Sequence, residues 1–547
     1  MNSENHQDVE AMTGGEAIVA TLKLVGIDTI FGIPGVHTGG FYDAIYAEPS
    51  IRHVMTRHEQ GAAFMADGYA RASGRIACLS TITGPGVTNA ATGLGEARAD
   101  SSPILHIAST LDPDTHGGAV GELHELHDQS GVLRSIVGHH RLVRTIQEIP
   151  DAVIRAVQHM RSTRPGPASI EIPLALLTDH APVDLPSAPL MPDLAPKPEA
   201  IAQAAQMLAQ ASSPVIYVGG GAMDADAALV AIAERLQAPV LTTHTGKGAF
   251  PESHPLSLGC KMRQDETAYD FLRSCDVALV VGCRLGHRTT DGGTLPLPSQ
   301  IIQIDIDASS IGHARKTAIG IQADASEALA ALLEEDLGEP KAVDPGNVQR
   351  VRLNRDYIAS NPDSEQMLEA LRSVMPPDAV LVNDMTMVSY DAPKYFTLDH
   401  PRAFMFPNYF CTLGVSLPAA FGAQVACPGR TIVSISGDGG FLFTSEELAT
   451  AVREQLPVIV IVSDDGLYAA IDRHQRRTFN DRTLDMRLTN PDFVKLAESY
   501  GMPGVAVSDP DSLARETRAA ADRDGPSLIV YELSDQHQDL HRNKRPH

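Results

Sequence analysis

Thr431-Ile-Val-Ser-Ile-Ser-Gly-Asp-Gly-Gly440 is the stretch on which the reading of this chain turns. Residues 431–436 form an apolar, β-branched run of strand length. The run enters Gly437-Asp438-Gly439-Gly440, where glycines let the backbone turn sharply and approach a phosphate closely. Thr444-Ser-Glu-Glu447 follows with capping-box spacing and predicts a helix over 446–455. Pro457–Ser463 (PVIVIVS) predicts a second buried strand, ending at Asp464-Asp465-Gly466. Asp438 and Asp465 stand 465 − 438 = 27 residues apart, one strand–helix–strand unit. Adjacent parallel strands then bring both carboxylates to one carboxyl edge, where open α/β sheets bind ligands. Two hard oxygen ligands beside a phosphate-sized nest predict a Mg2+–diphosphate site.

A second pattern lies far upstream. It runs Arg57-His-Glu59-Gln-Gly-Ala-Ala-Phe-Met-Ala-Asp-Gly-Tyr-Ala-Arg71, and Gly84-Pro-Gly-Val-Thr-Asn89 follows. Neither stretch implies the other by composition or periodicity. In this order they resemble the thiamine-diphosphate-dependent enzymes. The upstream stretch is similar to the amino-terminal signature of that superfamily. The downstream one, GDGG-F…EL…PVIV…DDG-x-Y ending at Tyr468, is similar to its diphosphate motif. That motif normally closes with two asparagines, so Asp464-Asp465 departs from it at a metal ligand.

The resemblance implies roles for particular residues. The side chains of Asp438 and Asp465 and the Leu467 carbonyl would hold Mg2+. The backbone of Gly437, Gly439 and Gly440 would receive the diphosphate, with Tyr468 beside it and Thr386 as a further candidate for the same end. Glu59 would hydrogen-bond the cofactor pyrimidine and move its protons, as a general acid–base group. Cys411-Thr-Leu413-Gly414 resembles the segment that supports a bent cofactor, with Leu413 as the apolar wedge. Cys411 stands where the family usually has glycine and would offer its backbone carbonyl. His37, after the Pro34-Gly35 turn, and His124, in the loop Leu123–Gln129, are candidate catalytic residues at the substrate pocket. His58, next to Glu59, reads as structural. His124 and His127 are three apart, so no H-E-x-x-H zinc site is formed.

At 547 residues the chain exceeds one ordinary core and predicts about three domains. A formal net charge of −25 argues against nucleic acid or an anionic membrane surface as partner. The six cysteines (78, 260, 275, 283, 411 and 427) form no C-x-x-C pair and fit reduced thiols in a cytoplasmic protein. The polar start MNSENHQDVE has no apolar core, so no secretory signal is expected. Apolar runs are strand-length, far short of a membrane span.

Six prolines within Ala181–Pro198 predict an extended linker. A second break falls near Asp336–Asn347. The expected class is α/β, with three doubly wound parallel-sheet domains: a pyrimidine-binding domain over 1–180, a central Rossmann-like domain over 190–336, and a diphosphate-binding domain over 348–547. The first and third share a strand–loop–helix texture. Within the first, strands are expected at 30–33, 52–56 and 76–83, and helices at 60–73 and 87–98. Glu59 then sits where a strand passes into a helix. In the central segment, Gly219-Gly220-Gly221 follows a strand, but Asp224 occupies the third small-residue position of a dinucleotide fingerprint. Cys260–Gln264 shows no clear flavin pattern. A structural domain without nucleotide is the favoured reading, with FAD as the alternative.

Function follows from the resemblance: a thiamine diphosphate- and Mg2+-dependent decarboxylase or carboligase of 2-oxo acids, in the acetolactate-synthase-like branch. That branch includes decarboxylases of long 2-oxo acids such as 5-guanidino-2-oxopentanoate. An acetolactate synthase acting on pyruvate, a FAD-assisted 2-oxo acid oxidase and a non-catalytic binding homologue are the alternatives. The family architecture implies a homodimer or homotetramer whose active sites lie at the subunit interface, with Glu59 and Asp438 of one site from different chains. Glu125 and Asp128 in the pocket loop suggest a substrate larger than pyruvate with a cationic tail.

Overall fold

Three six-stranded sheets organise the chain, and in each of them every neighbouring pair of strands is parallel. The computed structural model describes residues 11–112, 121–187, 194–261, 265–340 and 362–533, with 346, 348, 349 and 351. The first sheet orders its strands Arg52–Met55, Thr29–Gly32, Ala77–Thr81, Ile104–Thr110, Ala168–Pro173, His139–Leu142. The third orders them Phe404–Met405, Val380–Asn383, Ile432–Gly437, Val458–Asp464, Ser527–Glu532, Gly504–Val507. Numbered along the chain, both are 2-1-3-4-6-5, so the shared texture of the two segments reflects one topology. The central sheet runs 3-2-1-4-5-6, the Rossmann order, from Ser257–Cys260 through Val240–Thr242, Pro214–Val218, Val277–Val281 and Gln300–Asp305 to Ile319–Gln322.

Strands covered by helices on both faces read as continuous apolar runs, and VALVV at Val277–Val281 is buried at every position. The strand and helix expectations hold to within a few residues: Ile432–Gly437, Val458–Asp464, Arg52–Met55 and the helices Glu59–Ser73 and Pro85–Asp100. The stretch 446–455 differs. It opens with a 3-10 turn, Ser445–Glu447, before a shorter helix, Leu448–Glu454.

By packing, the residues fall into two compact units. One holds Met1–Pro192 with Phe410–Pro428 and Thr444–Leu456; the other holds Asp193–Tyr409, Gly429–Phe443 and Pro457–His547. In the first, helix Ser416–Ala426 lies against Glu59–Ser73 at glycine-only distance. A Cβ on Gly68 would stand 1.9 Å from the Ala419 carbonyl oxygen, and one on Gly422 1.8 Å from that of Met65. In the second unit the central and third sheets have separate buried cores.

Part of the proline-rich stretch is ordered: His180–Pro182 pairs antiparallel with Ala11–Thr13, and a helix starts at Pro198. Positions 188–193 of that expected linker, the chain start at 1–10, positions 262–264 of the Cys260–Gln264 segment, and half of the second break lie outside the described residues. The six cysteines are unbridged. Among the described residues no helix is long and apolar enough to cross a membrane.

Candidate active site

The expected site residues form two groups, one in each compact unit. The acidic group belongs to the third sheet. Gly437 ends the strand Ile432–Gly437 in register with Ser463 on the neighbouring strand, so both loops emerge at the same carboxyl edge. Space at the turn is tight. A Cβ on Gly439 would meet the Tyr468 ring at 2.5 Å, and one on Gly437 the Thr386 hydroxyl at 3.0 Å. One on Gly440 would lie 3.3 Å from the Asp384 carboxylate. Thr386 and Tyr468 thus flank the glycine turn from two sides.

Asp438 is 2 % exposed. Its Oδ1 accepts the Gly439 amide at 2.9 Å, and its Oδ2 accepts Asn490 Nδ2 at 2.7 Å. The same Asn490 nitrogen donates to Asp464 Oδ1 at 2.8 Å, while Asp465 Oδ1 accepts the Leu467 amide at 3.0 Å. Burial raises the Asp438 carboxyl above its ordinary range. Burial, with the Asp438 charge second, pushes Asp465 up to about 7. Buried like charges of this kind favour a cation that neutralises them. The buried Asn490 Oδ1 has no partner, a further free acceptor beside the pair. Among the described residues no three His, Cys, Asp or Glu side chains are arranged to hold a metal. Two carboxylates at one sheet edge, with the glycine turn alongside, have the hard-oxygen chemistry that suits Mg2+ and a diphosphate. Asn490 was not expected; it lies 490 − 464 = 26 residues beyond the acidic pair with no local motif around it.

The other group belongs to the first sheet. Glu59 opens the helix Glu59–Ser73, and His58 caps that helix by accepting the Gln60 amide on Nδ1 at 3.1 Å. Asn89 Nδ2, from the Gly84–Asn89 stretch, donates to Glu59 Oε2 at 3.0 Å. A Cβ on Gly86 would lie 3.4 Å from the other oxygen. The two pieces of the upstream pattern therefore meet at the Glu59 carboxylate.

Glu447 corrects the capping-box expectation. Thr444 caps nothing and instead donates to the Gly414 carbonyl at 2.7 Å. Glu447, 0 % exposed, accepts the amides of Arg57 at 3.1 Å and His58 at 3.0 Å on Oε1 and the Thr450 hydroxyl at 2.6 Å on Oε2. Burial pushes its carboxyl up to about 7 although these hydrogen bonds pull it down. A second buried glutamate, Glu96, accepts the Thr412 amide at 3.1 Å and hydroxyl at 2.8 Å, holding the chain between Cys411 and Leu413. Burial, followed by the Asp100 charge, raises it too. Cys411 itself has φ +62°, a left-handed backbone that explains why glycine suits this position.

His37 and His124 meet edge to face, with ring centroids 5.1 Å apart, and the Nδ1 of each is buried without a partner. Burial, then His124, lowers the His37 pKa. His124 also has a left-handed backbone, φ +62°. Its carbonyl lies where a Cβ on Gly84 would come within 2.3 Å, so this loop abuts the Gly84–Asn89 stretch. The neighbouring acids do other work than expected. Asp128 caps the helix Gln129–Ile136 through the Gly131 amide at 2.7 Å, and Glu125 accepts the amides of Gly121 at 2.8 Å and Glu122 at 3.2 Å. Buried Gln129 accepts the Gly84 amide at 2.8 Å and donates to Glu171 at 2.8 Å, which ties the Gly84 turn to the core.

In the central domain the glycine cluster is not an open phosphate nest. Gly219 and Gly221 donate their amides to the carbonyls of Val281 at 2.9 Å and Gly282 at 3.1 Å. A cleft of about 340 Å3 does lie at the carboxyl edge of this sheet, lined by His244, Lys261, His287, Arg288 and Asn408 among others. Asp291 balances part of that charge through Lys261 at 2.5 Å.

A glycine turn with paired carboxylates on one sheet, and a helix-start glutamate on a second sheet of the same topology, match the arrangement of an enzyme built around a diphosphate cofactor. The chain belongs to the thiamine pyrophosphate enzymes: the N-terminal TPP binding, central and C-terminal TPP binding domains of that family match residues 12–132, 201–332 and 384–531. It is 36% identical over 535 residues to a probable 2-ketoarginine decarboxylase of Pseudomonas aeruginosa, covering 96% of this chain and 94% of the relative. It is 33% identical to a probable acetolactate synthase large subunit of Methanocaldococcus jannaschii (95% and 91% covered). An acetolactate synthase large subunit of Corynebacterium glutamicum is 32% identical (95% and 87%).

Proposed function

We propose that this protein catalyses thiamine diphosphate- and Mg2+-dependent decarboxylation of a 2-oxo acid larger than pyruvate. The observation that carries the reading is the Asp438–Asp465 pair, whose carboxyls are both raised by burial, at one sheet edge beside a glycine turn where a Cβ on Gly439 would meet the Tyr468 ring at 2.5 Å. When bound, thiamine diphosphate supplies a carbon nucleophile and an electron sink for loss of carbon dioxide. The protein does the rest. Asp438, Asp465 and the Leu467 carbonyl would hold the metal, and the 437–440 backbone, with Thr386 and Tyr468 beside it, would receive the diphosphate. Leu413 would support the cofactor as an apolar wedge, and the Cys411 carbonyl would offer it a hydrogen-bond acceptor. Glu59, oriented by Asn89, would exchange a proton with the cofactor pyrimidine. His37 and His124, with unpaired buried nitrogens beside the Gly84 turn, hold or deliver protons at the substrate carboxylate side.

The working assembly is a homodimer or homotetramer in which Glu59 of one subunit serves the Asp438 site of another. For the substrate, the similarity to a 2-ketoarginine decarboxylase favours 5-guanidino-2-oxopentanoate. Glu125 and Asp128 no longer support a cationic tail, because both are engaged with backbone amides. Carboligation of pyruvate, as in acetolactate synthases, is the second reading and draws on the other relatives. The central domain is structural in this account. A flavin-assisted reaction has one feature in its favour, the basic cleft, and the committed glycine amides against it. Comparing kcat/KM for pyruvate, a branched-chain 2-oxo acid and 5-guanidino-2-oxopentanoate, with ketol product measured alongside, tests the assignment. Preference for pyruvate with acetolactate as product would move the protein to the second reading.

A further inference from the structure

The strand before Glu59 ends at Met55, and the helix after it leaves its first amides without intrahelical partners. His58 satisfies only the Gln60 amide. The amides of Arg57 and His58 are satisfied instead by Glu447, from the turn three residues past the end of the diphosphate loop helix Asp438–Phe441. Gly61, two residues beyond Glu59, is shaped for that contact, since a Cβ there would stand 2.1 Å from Glu447 Oε1.

We propose that Glu447 is a positioning residue whose buried carboxylate, by holding the Arg57 and His58 amides, sets the place and direction of the Glu59 side chain. The inference rests on the catalytic role proposed for Glu59. Burying a carboxylate is costly unless hydrogen bonds answer it, and an apolar side chain in its place would leave two amides orphaned. Misplacing a catalytic group by about 1 Å can cost about a hundredfold in rate. Glu447→Gln keeps an oxygen facing both amides, whereas Glu447→Ala removes it. Gly61→Ala leaves Glu447 in the chain but displaces its carboxylate, while favouring the helix locally.

Two readouts test this in the full-length protein. The first is hydrogen–deuterium exchange of the peptide spanning 56–60 without cofactor. The second is exchange of the cofactor C2 proton with thiamine diphosphate and Mg2+ saturating and no substrate. Glu447→Ala and Gly61→Ala are expected to lose amide protection at 57–58 and to slow C2 exchange about 10- to 100-fold. Thiamine diphosphate affinity should stay within about threefold, because the groups that hold metal and diphosphate are untouched. Glu447→Gln should restore both readouts to within a few-fold of the parent. Glu59→Gln serves as reference. If it exchanges C2 like the parent, the proposed role of Glu59 fails. If it is slow while both Glu447→Ala and Gly61→Ala behave like the parent, or Glu447→Gln is no better than Glu447→Ala, the positioning role is overturned.

Discussion

Asp465→Asn should change the pH dependence of stability of the metal-free protein, in a direction the site dictates. In the folded chain the Asp465 carboxyl is pushed from its ordinary value of 3.8 up to about 7 by burial and by the Asp438 charge. A raised acid pKa means that folding favours the protonated form. The group's contribution to stability is then fully present below about pH 4 and falls by ~1.4 kcal/mol per pH unit above that. It is lost once the pH passes about 7, and the three-unit gap corresponds to at most about 4 kcal/mol. Asparagine keeps the oxygen and carries no such proton. In chelator, melting temperatures of the parent and of Asp465→Asn should coincide near pH 4 and separate toward pH 8. The variant should end several degrees higher, at roughly 2–4 °C per kcal/mol for a unit of this size. Saturating Mg2+ should close the gap, because the cation replaces the proton. Parallel melting curves across this pH range in chelator would refute the claim that Asp465 is a partly buried, charge-strained carboxylate.

Three further outcomes follow from the same geometry. Cys411→Gly should stabilise the metal-free protein by about 1 kcal/mol, since a left-handed residue costs ~1–2 kcal/mol and glycine gives some of that back through its freer unfolded chain; thermal melts measure it. Asn490→Leu removes the amide that bridges Asp438 and Asp464, so calorimetric Mg2+ affinity in the presence of thiamine diphosphate should weaken about 10- to 100-fold, the usual scale for a group supporting metal ligands. Mixing Glu59→Gln subunits with Asp438→Ala subunits should regain a minority of active sites, and no regain under proven subunit exchange would count against a shared site.

The parts legible in the sequence were those written in short-range pattern. Apolar runs bounded by glycine marked the strands at 432–437 and 458–464, and the spacing of Asp438 from Asp465 placed both on one sheet edge. Glu59 was legible because the stretch Arg57–Arg71 around it resembles the family's amino-terminal signature. What the sequence concealed depends on partners distant in the chain. Thr444–Glu447 has the local form of a capping box, yet Glu447 bonds residues 389 and 390 positions away. Asn490 joins Asp438 across 52 residues, and Glu96 holds Thr412 across 316. Asp128 shows the reverse. A helix cap three residues away used the side chain that the loop pattern suggested for the substrate. At Gly219–Gly221 small residues allowed close packing on Gly282, which a glycine count cannot distinguish from a phosphate nest.

The most direct test strips metal and cofactor by dialysis against chelator and follows carbon dioxide release from 5-guanidino-2-oxopentanoate and other 2-oxo acids as each is restored. The account predicts no release without both Mg2+ and thiamine diphosphate. It predicts saturable release with both, and a fall of about 10²–10⁴-fold in Glu59→Gln at the same cofactor occupancy. Release that does not depend on the cofactor, or none from any 2-oxo acid when the cofactor is bound at saturation, would contradict it.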